Sequence, residues 1–158
     1  MQRFNDDKGT RRLLDIKNMQ ANEVLTYYLQ VKGMHKKQDK KQLEQAVNWM
    51  KHEIEDVSAW QDVNKWILTI KSKDHRKLIG VIKVFEMKPE EAFVKIHIPN
   101  ENWVFKYGTE ALDQFVKICK EMQCFSTIEF ETDNEIVERY RVQRKMETYK
   151  IEIKKETE

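Results

Sequence analysis

The segment Trp103-Val104-Phe105-Lys106-Tyr107-Gly108-Thr109-Glu110-Ala111-Leu112 follows a short apolar strand pattern and opens a strongly periodic helix. A strand that feeds a helix through a turn leaves the first N–H groups of the helix unpaired and aimed outward, and the helix dipole makes that end attractive to anions. The spacing predicts a place for a phosphate-bearing ligand, with a diphosphate gripped by backbone amides at the turn before Tyr107. Cys119 and Cys124, with four residues between them, are the chain's two cysteines. No Cys or His cluster has metal-ligand spacing, so neither a disulfide framework nor a zinc site is expected, and both cysteines read as small core residues.

The elements that must position this segment follow from periodicity. Residues 11–17 read as a strand with Leu14 and Ile16 on one face, and Asn22 as the N-cap of a helix over 22–31 that Gly33 stops. The charged run Lys36 to Lys41 leads into a longer helix in which Leu43, Val47, Met50, Ile54 and Val57 recur at helical spacing. Strands 66–70 and 78–85, rich in β-branched residues, form a hairpin, and 92–98 is a third strand between Pro89 and Pro99. From Thr109 the pattern becomes helical, with Ala111, Leu112, Phe115, Ile118, Cys119 and Met122 on one face, and returns to strand over 125–131. That strand, helix, strand passage implies a parallel pair with a right-handed crossover. Asp133 or Asn134 caps a last helix reaching about residue 145, and 148–153 closes the sheet. One domain is expected for the chain, with an α/β fold: a mixed, mainly antiparallel sheet of six or seven strands flanked by about four helices.

With 29 basic and 27 acidic residues the formal charge is +2, which gives no general attraction to nucleic acid or anionic membrane. No apolar run approaches the roughly 20 residues that span a bilayer, and the N-terminus lacks the apolar core of a secretion signal, so a cytoplasmic location is expected.

The element order resembles the GNAT superfamily of acyl-CoA N-acyltransferases, and Tyr107-Gly108-Thr109-Glu110-Ala111 reproduces the second half of the Arg-Gly-Lys-Gly-Tyr-Gly/Ala-Thr-Glu-Ala pattern of its ribosomal-protein N-terminal acetyltransferase branch. In the first half, the leading Arg or Gln falls at Trp103 and the two loop glycines fall at Val104 and Lys106. Glycine lets a backbone approach a phosphate closely, and a positive charge at Lys106 offsets part of its loss. The resemblance also puts an Asn at the exit of the fifth strand, matched by Asn134. The Tyr that protonates the departing thiolate falls at Arg141, with Tyr140 one residue earlier, about 100° around the helix. The Gly-Phe that usually ends this helix is Lys145-Met146 here.

The resemblance implies acetyl-CoA as cosubstrate, held between the fourth and fifth strands and along Trp103, Val104, Phe105, Lys106, Tyr107, Gly108, Thr109 and Asn134. An amine attacks the thioester directly, with no metal, while a backbone N–H of the fourth strand supports the carbonyl oxygen. The incoming ammonium must lose a proton, for which His97 on the fourth strand and Glu131 at the end of the fifth are the nearest groups, with Tyr140 as the acid. The acceptor is an amine-bearing small molecule or a protein N-terminus, and the protein a monomer or homodimer. Each residue also has an ordinary use: a strand His or strand-end Glu in solvent, Asn134 as a helix cap, Tyr140 packing its ring, Gly108 as clearance between helix and strand. Trp49 and Trp66 suit a core, whereas Trp103 suits either a stacked ligand or the sheet edge.

Two other classes compete with the transferase. One is a non-enzymatic module of the same fold that binds CoA weakly or holds a protein partner. The other is nucleic-acid binding through Arg139, Arg141, Arg144 and Lys145, which the near-neutral chain and the lack of interleaved aromatics disfavour.

Overall fold

In this computed structural model, residues 14–18, 64–73 and 77–153 are described. They all belong to one of the two units into which the chain divides, Met1–Asn18 with Val63–Glu158. The helices expected over 22–31 and 43–57, together with Trp49 and Trp60, lie outside the described residues.

Six strands build one sheet: β1 (Leu14–Asn18), β2 (Asn64–Ser72), β3 (Leu78–Lys88), β4 (Glu91–His97), β5 (Thr127–Phe130) and β6 (Lys150–Glu152), in that spatial order. Every neighbouring pair is antiparallel except β4 and β5, which run parallel. The connection between those two is α1 (Glu101–Met122), and α2 (Glu135–Gln143) follows β5. This is the mixed sheet expected from the element order, with two helices among the described residues.

Alternation along β4 shows how the sheet meets the helices. Ala92, Val94 and Ile96 are buried on one face while Glu91 and His97 are exposed on the other. The buried set joins Ala111, Leu112, Phe115 and Cys119 of α1 in the core. Burying side chains of this size contributes about 1.5–3 kcal/mol each, so the amphipathic stripe of α1 is what seats the crossover helix. Met122, expected on that stripe, is instead exposed at the last turn. Trp66 packs edge-on against Phe125 at 5.9 Å, the core use expected for it. Gln114, buried on α1, donates to the Leu14 carbonyl at 2.6 Å and so ties the helix to β1 across the sheet.

Burial pushes the Cys119 thiol well above its ordinary range, and Cys124 beside it adds to the shift, as befits two free, buried core cysteines. Among the described residues no helix is long and apolar enough to cross a membrane, and no group of three or more His, Cys, Asp or Glu is placed to hold a metal.

The helix boundaries correct the expectation at one important place. The periodic segment does not begin at Thr109: α1 begins at Glu101, capped by Asn100, whose Oδ1 accepts from the Asn102 N–H at 2.9 Å. Asn100 followed by Glu101 is a cap and an acidic first turn, a start signal present in the sequence. Val104 and Lys106, standing where the family pattern has glycines, each favour a helix by roughly 0.5–1 kcal/mol over glycine, which is why the turn closes into helix.

The end of α2 shows the opposite outcome. Lys145, where the family pattern has glycine, keeps a left-handed backbone with φ 54°. The Met146 N–H donates to the Arg141 carbonyl at 2.9 Å and the Lys145 N–H to the Val142 carbonyl at 3.2 Å, the paired bonds of a Schellman motif. A side chain in this conformation costs about 1 kcal/mol, so Lys145→Gly is expected to raise unfolding stability by about that amount in urea titration.

Candidate functional site

The parallel ladder between β4 and β5 ends early. Its register runs from Glu91 opposite Thr127 to Val94 opposite Phe130, and the Glu131 N–H adds one bond to the Val94 carbonyl at 2.9 Å. Beyond that point β4 continues to His97 against β3 alone. The two strands therefore part, opening a gap on the β5 side of residues 95–97.

Ile96 faces this gap. Its carbonyl accepts from Asn134 Nδ2 at 2.9 Å, so by strand geometry its N–H, on the same edge, also points into the gap. Among the described residues no acceptor pairs with that N–H, although Ile96 is buried. A buried, unpartnered amide is uncommon, since most such groups find a partner.

Asn134 closes the far side. Its Oδ1 accepts from the N–H groups of Ile136 at 3.0 Å and Val137 at 3.4 Å, capping α2, while Nδ2 also reaches Glu131 Oε1 at 3.3 Å. One side chain thus caps a helix and pins the end of β4. Glu131 in turn pairs with Lys95 at 3.6 Å. The structure brings Asn134, Glu131, Lys95 and Ile96 into one cluster, with His97 exposed at the end of β4. Lys95 was not anticipated; its alternation with His97 along β4 is the signal in the sequence.

Tyr140 is buried on α2, only 3% exposed, its ring edge-on to Phe130 at 5.8 Å and under the Arg144 guanidinium. Burial pushes its hydroxyl up to about 12. Deprotonation is therefore easier in the unfolded chain, so this group leaves stability intact below pH 10 and erodes it between pH 10 and 12. The loss amounts to about 2–3 kcal/mol, and Tyr140→Phe is expected to flatten that alkaline slope in urea titrations at stepped pH.

Arg141, at the family's Tyr position, is a clamp: it pairs with Glu138 and donates to the Met146 carbonyl at 3.0 Å, while the Tyr149 hydroxyl donates to Glu138 at 2.8 Å. Hydrogen bonds from Arg141 and then Tyr149 hold the Glu138 carboxyl below its ordinary range. Arg144 pairs with Asp113, so two of the four basic residues of this segment are bound to carboxylates within the fold.

The expected phosphate turn is the start of α1. The Asn102 N–H is taken by the cap and the Trp103 N–H donates to the Asn100 carbonyl at 2.9 Å. From Phe105 onward, through Lys106, Tyr107, Gly108 and Thr109, the amides point along the helix to carbonyls four residues back. Trp103 meets Tyr107 edge-on at 6.4 Å, Val104 is half-buried, and Phe105, 53% exposed, lies 3.7 Å under the Arg139 guanidinium. Gly108 is buried where α1 crosses α2, and a Cβ there would meet Ile136 Cγ2 at 2.8 Å, so this glycine gives clearance between helices.

Residues 12–147 match the family model described as an acetyltransferase (GNAT) domain. No curated protein sequence matches the chain. Among solved structures the fold is similar to that of the Campylobacter jejuni N-acetyltransferase PseH, with TM-score 0.53 and 14% identity over 84% of this chain and 86% of that one. It is also similar to Vibrio cholerae spermidine N-acetyltransferase, with TM-score 0.56 and 11% identity over 84% and 77%. The ribosomal L7/L12 α-N-protein acetyltransferase RimL gives TM-score 0.57 and 10% identity over 83% and 75%. At such identities the likeness is one of fold. The family match spans most of the sequence, and the chain belongs to the GNAT acetyltransferase family.

Proposed function

We propose that the protein is an N-acetyltransferase that moves an acetyl group from the thioester of acetyl-CoA to a primary amine by direct attack. The observation that supports this reading best is the Ile96 N–H, buried and aimed into the β4–β5 gap. A fixed donor on a buried strand residue is suited to a thioester carbonyl oxygen as it gains negative charge, and such preorganised donors are among the largest contributions to acyl transfer.

The residues present fit one end of this donor. The gap beside 95–97 has strand edges for a pantetheine arm, while the helical start of α1 does not offer a diphosphate its row of amides. When bound, the cosubstrate supplies an activated acyl carbon and a thiol leaving group. The amine nitrogen gains the carbon as the carbon–sulfur bond breaks, and the proton shed by nitrogen ends on sulfur.

Asn134 is a positioning residue, holding the Ile96 carbonyl so that the neighbouring amide faces the acyl group. In this reading His97 and Glu131, at the rim of the gap, take the first proton of the ammonium, directly or through water; imidazole is the side chain whose ordinary range brackets neutrality. Tyr140, pushed up to about 12, is poorly matched to a thiol that titrates near 8.5, so the sulfur's proton comes by way of solvent. Tyr140→Phe is accordingly expected to change kcat less than about threefold.

Acceptors of the class taken by the structural neighbours, a polyamine such as spermidine or a protein N-terminus, form the starting panel. The test is calorimetric titration with acetyl-CoA and CoA, followed by amine-dependent release of free thiol. Saturable micromolar binding and thiol release support the reading; neither ligand binding would sink it. A second reading, a GNAT-fold module that holds a partner and does not turn over, is favoured by the helical closure at Val104 to Lys106. Binding with no thiol release from any amine would select it.

A further inference from the structure

We infer that this chain recognises its acyl donor by the pantetheine thioester and not by the nucleotide diphosphate, so that a donor stripped of its nucleotide serves about as well as acetyl-CoA. The inference rests on the transferase reading and narrows it to a class of donor.

Three observations converge on it. Most of the amides that would surround a diphosphate are engaged: Asn102 and Trp103 bond to Asn100, and those from Phe105 to Gly108 belong to the ladder of α1, which leaves those of Glu101 and Val104 in place of a continuous row. The first turn presents Glu101, an exposed carboxylate that repels a second anion. Side chains, not open backbone, form the surface here, with Phe105 beneath Arg139 and Trp103 against Tyr107.

The remaining attraction comes from Lys106 and Arg139, whose charges sit at the surface. Salt screens such charges, and exposed pairs contribute little. An amide cradle differs, because each hydrogen bond to an anion is worth about tenfold or more in affinity. The strand end of the site keeps what the thioester needs, the gap past Val94 and the Ile96 amide within it.

The experiment is calorimetric titration of the full chain at about 0.15 M salt with acetyl-CoA and, separately, with acetyl-pantetheine, which lacks the diphosphate and the 3′-phosphorylated adenosine. Dissociation constants that differ less than tenfold are the expected result. Acetyl-pantetheine binding tenfold or more weakly overturns the inference and leaves the transferase reading standing; binding of neither overturns both. The Val104→Gly/Lys106→Gly double variant, which restores the glycines of the family pattern, is expected to acquire at least a tenfold preference for acetyl-CoA. An unchanged ratio in a variant that keeps its helical circular dichroism would mean that the closed helix is not the cause, and would overturn the inference as well.

Discussion

Asn134→Ala is expected to lower unfolding stability by about 2–4 kcal/mol and to abolish most of the acyl transfer. The first part follows from two losses. The cap that accepts from Ile136 and Val137 contributes about 1 kcal/mol, and the Ile96 carbonyl, left in a buried setting with no donor, costs a further 1–3 kcal/mol. The second part follows because the end of β4 is no longer held in register with the exit of β5, and the Ile96 amide loses its aim. Asn134→Asp separates the two roles: its carboxylate still caps α2, but it has no donor for Ile96 and faces Glu131. Denaturant titration is expected to show only the share of the cap, about 1 kcal/mol, restored in Asn134→Asp, while kcat stays at the alanine level. Recovery of activity together with stability would assign Asn134 to the cap alone.

Gly80→Ala is expected to cost about 3 kcal/mol, with the damage centred on the same gap. A Cβ on Gly80 would overlap the carbonyl oxygen of His97 and lie 2.9 Å from Ile98 Cγ1. A flexible side chain yields to such an intrusion at low cost; a strand carbonyl does not, and overpacking of this kind typically costs 1–3 kcal/mol or more. Relief requires the end of β4 to move away from β3, so His97 and the Ile96 amide shift with it. Gly108→Ala makes a useful contrast, since the obstacle there is the Ile136 side chain, and alanine gains up to about 1 kcal/mol of helix propensity. Thermal unfolding of the two variants is expected to place Gly80→Ala well below Gly108→Ala.

Much of the architecture was legible because its signals are local and repeated. Leu14 and Ile16 alternate onto one face, the apolar stripe from Ala111 to Cys119 marks the crossover helix, and a helix between two strands demands a parallel pair. The candidate site was legible only in part. The helix start at Asn100 had its cap and its acidic neighbour in view, yet the apolar stripe that marks the helix begins only at Ala111, so periodicity by itself puts the boundary near Thr109. Lys145 shows the converse: composition departs from the pattern while the backbone keeps it, because the Schellman bonds enforce the left-handed turn on whatever residue stands there.

By itself the sequence determined the order of the described elements, the face that most of their apolar residues bury and the membership of Asn134 in a helix cap, since these depend on side chains within a few positions of one another. Only the tertiary structure decided that β5 leaves β4 after Val94, that the Asn134 amide reaches Ile96 across 38 residues of chain, and that the Ile96 N–H is left facing a gap. Those facts depend on where two distant strands diverge, and backbone amides are identical in every residue but proline, so no pattern of side chains announces which of them will be left unpaired.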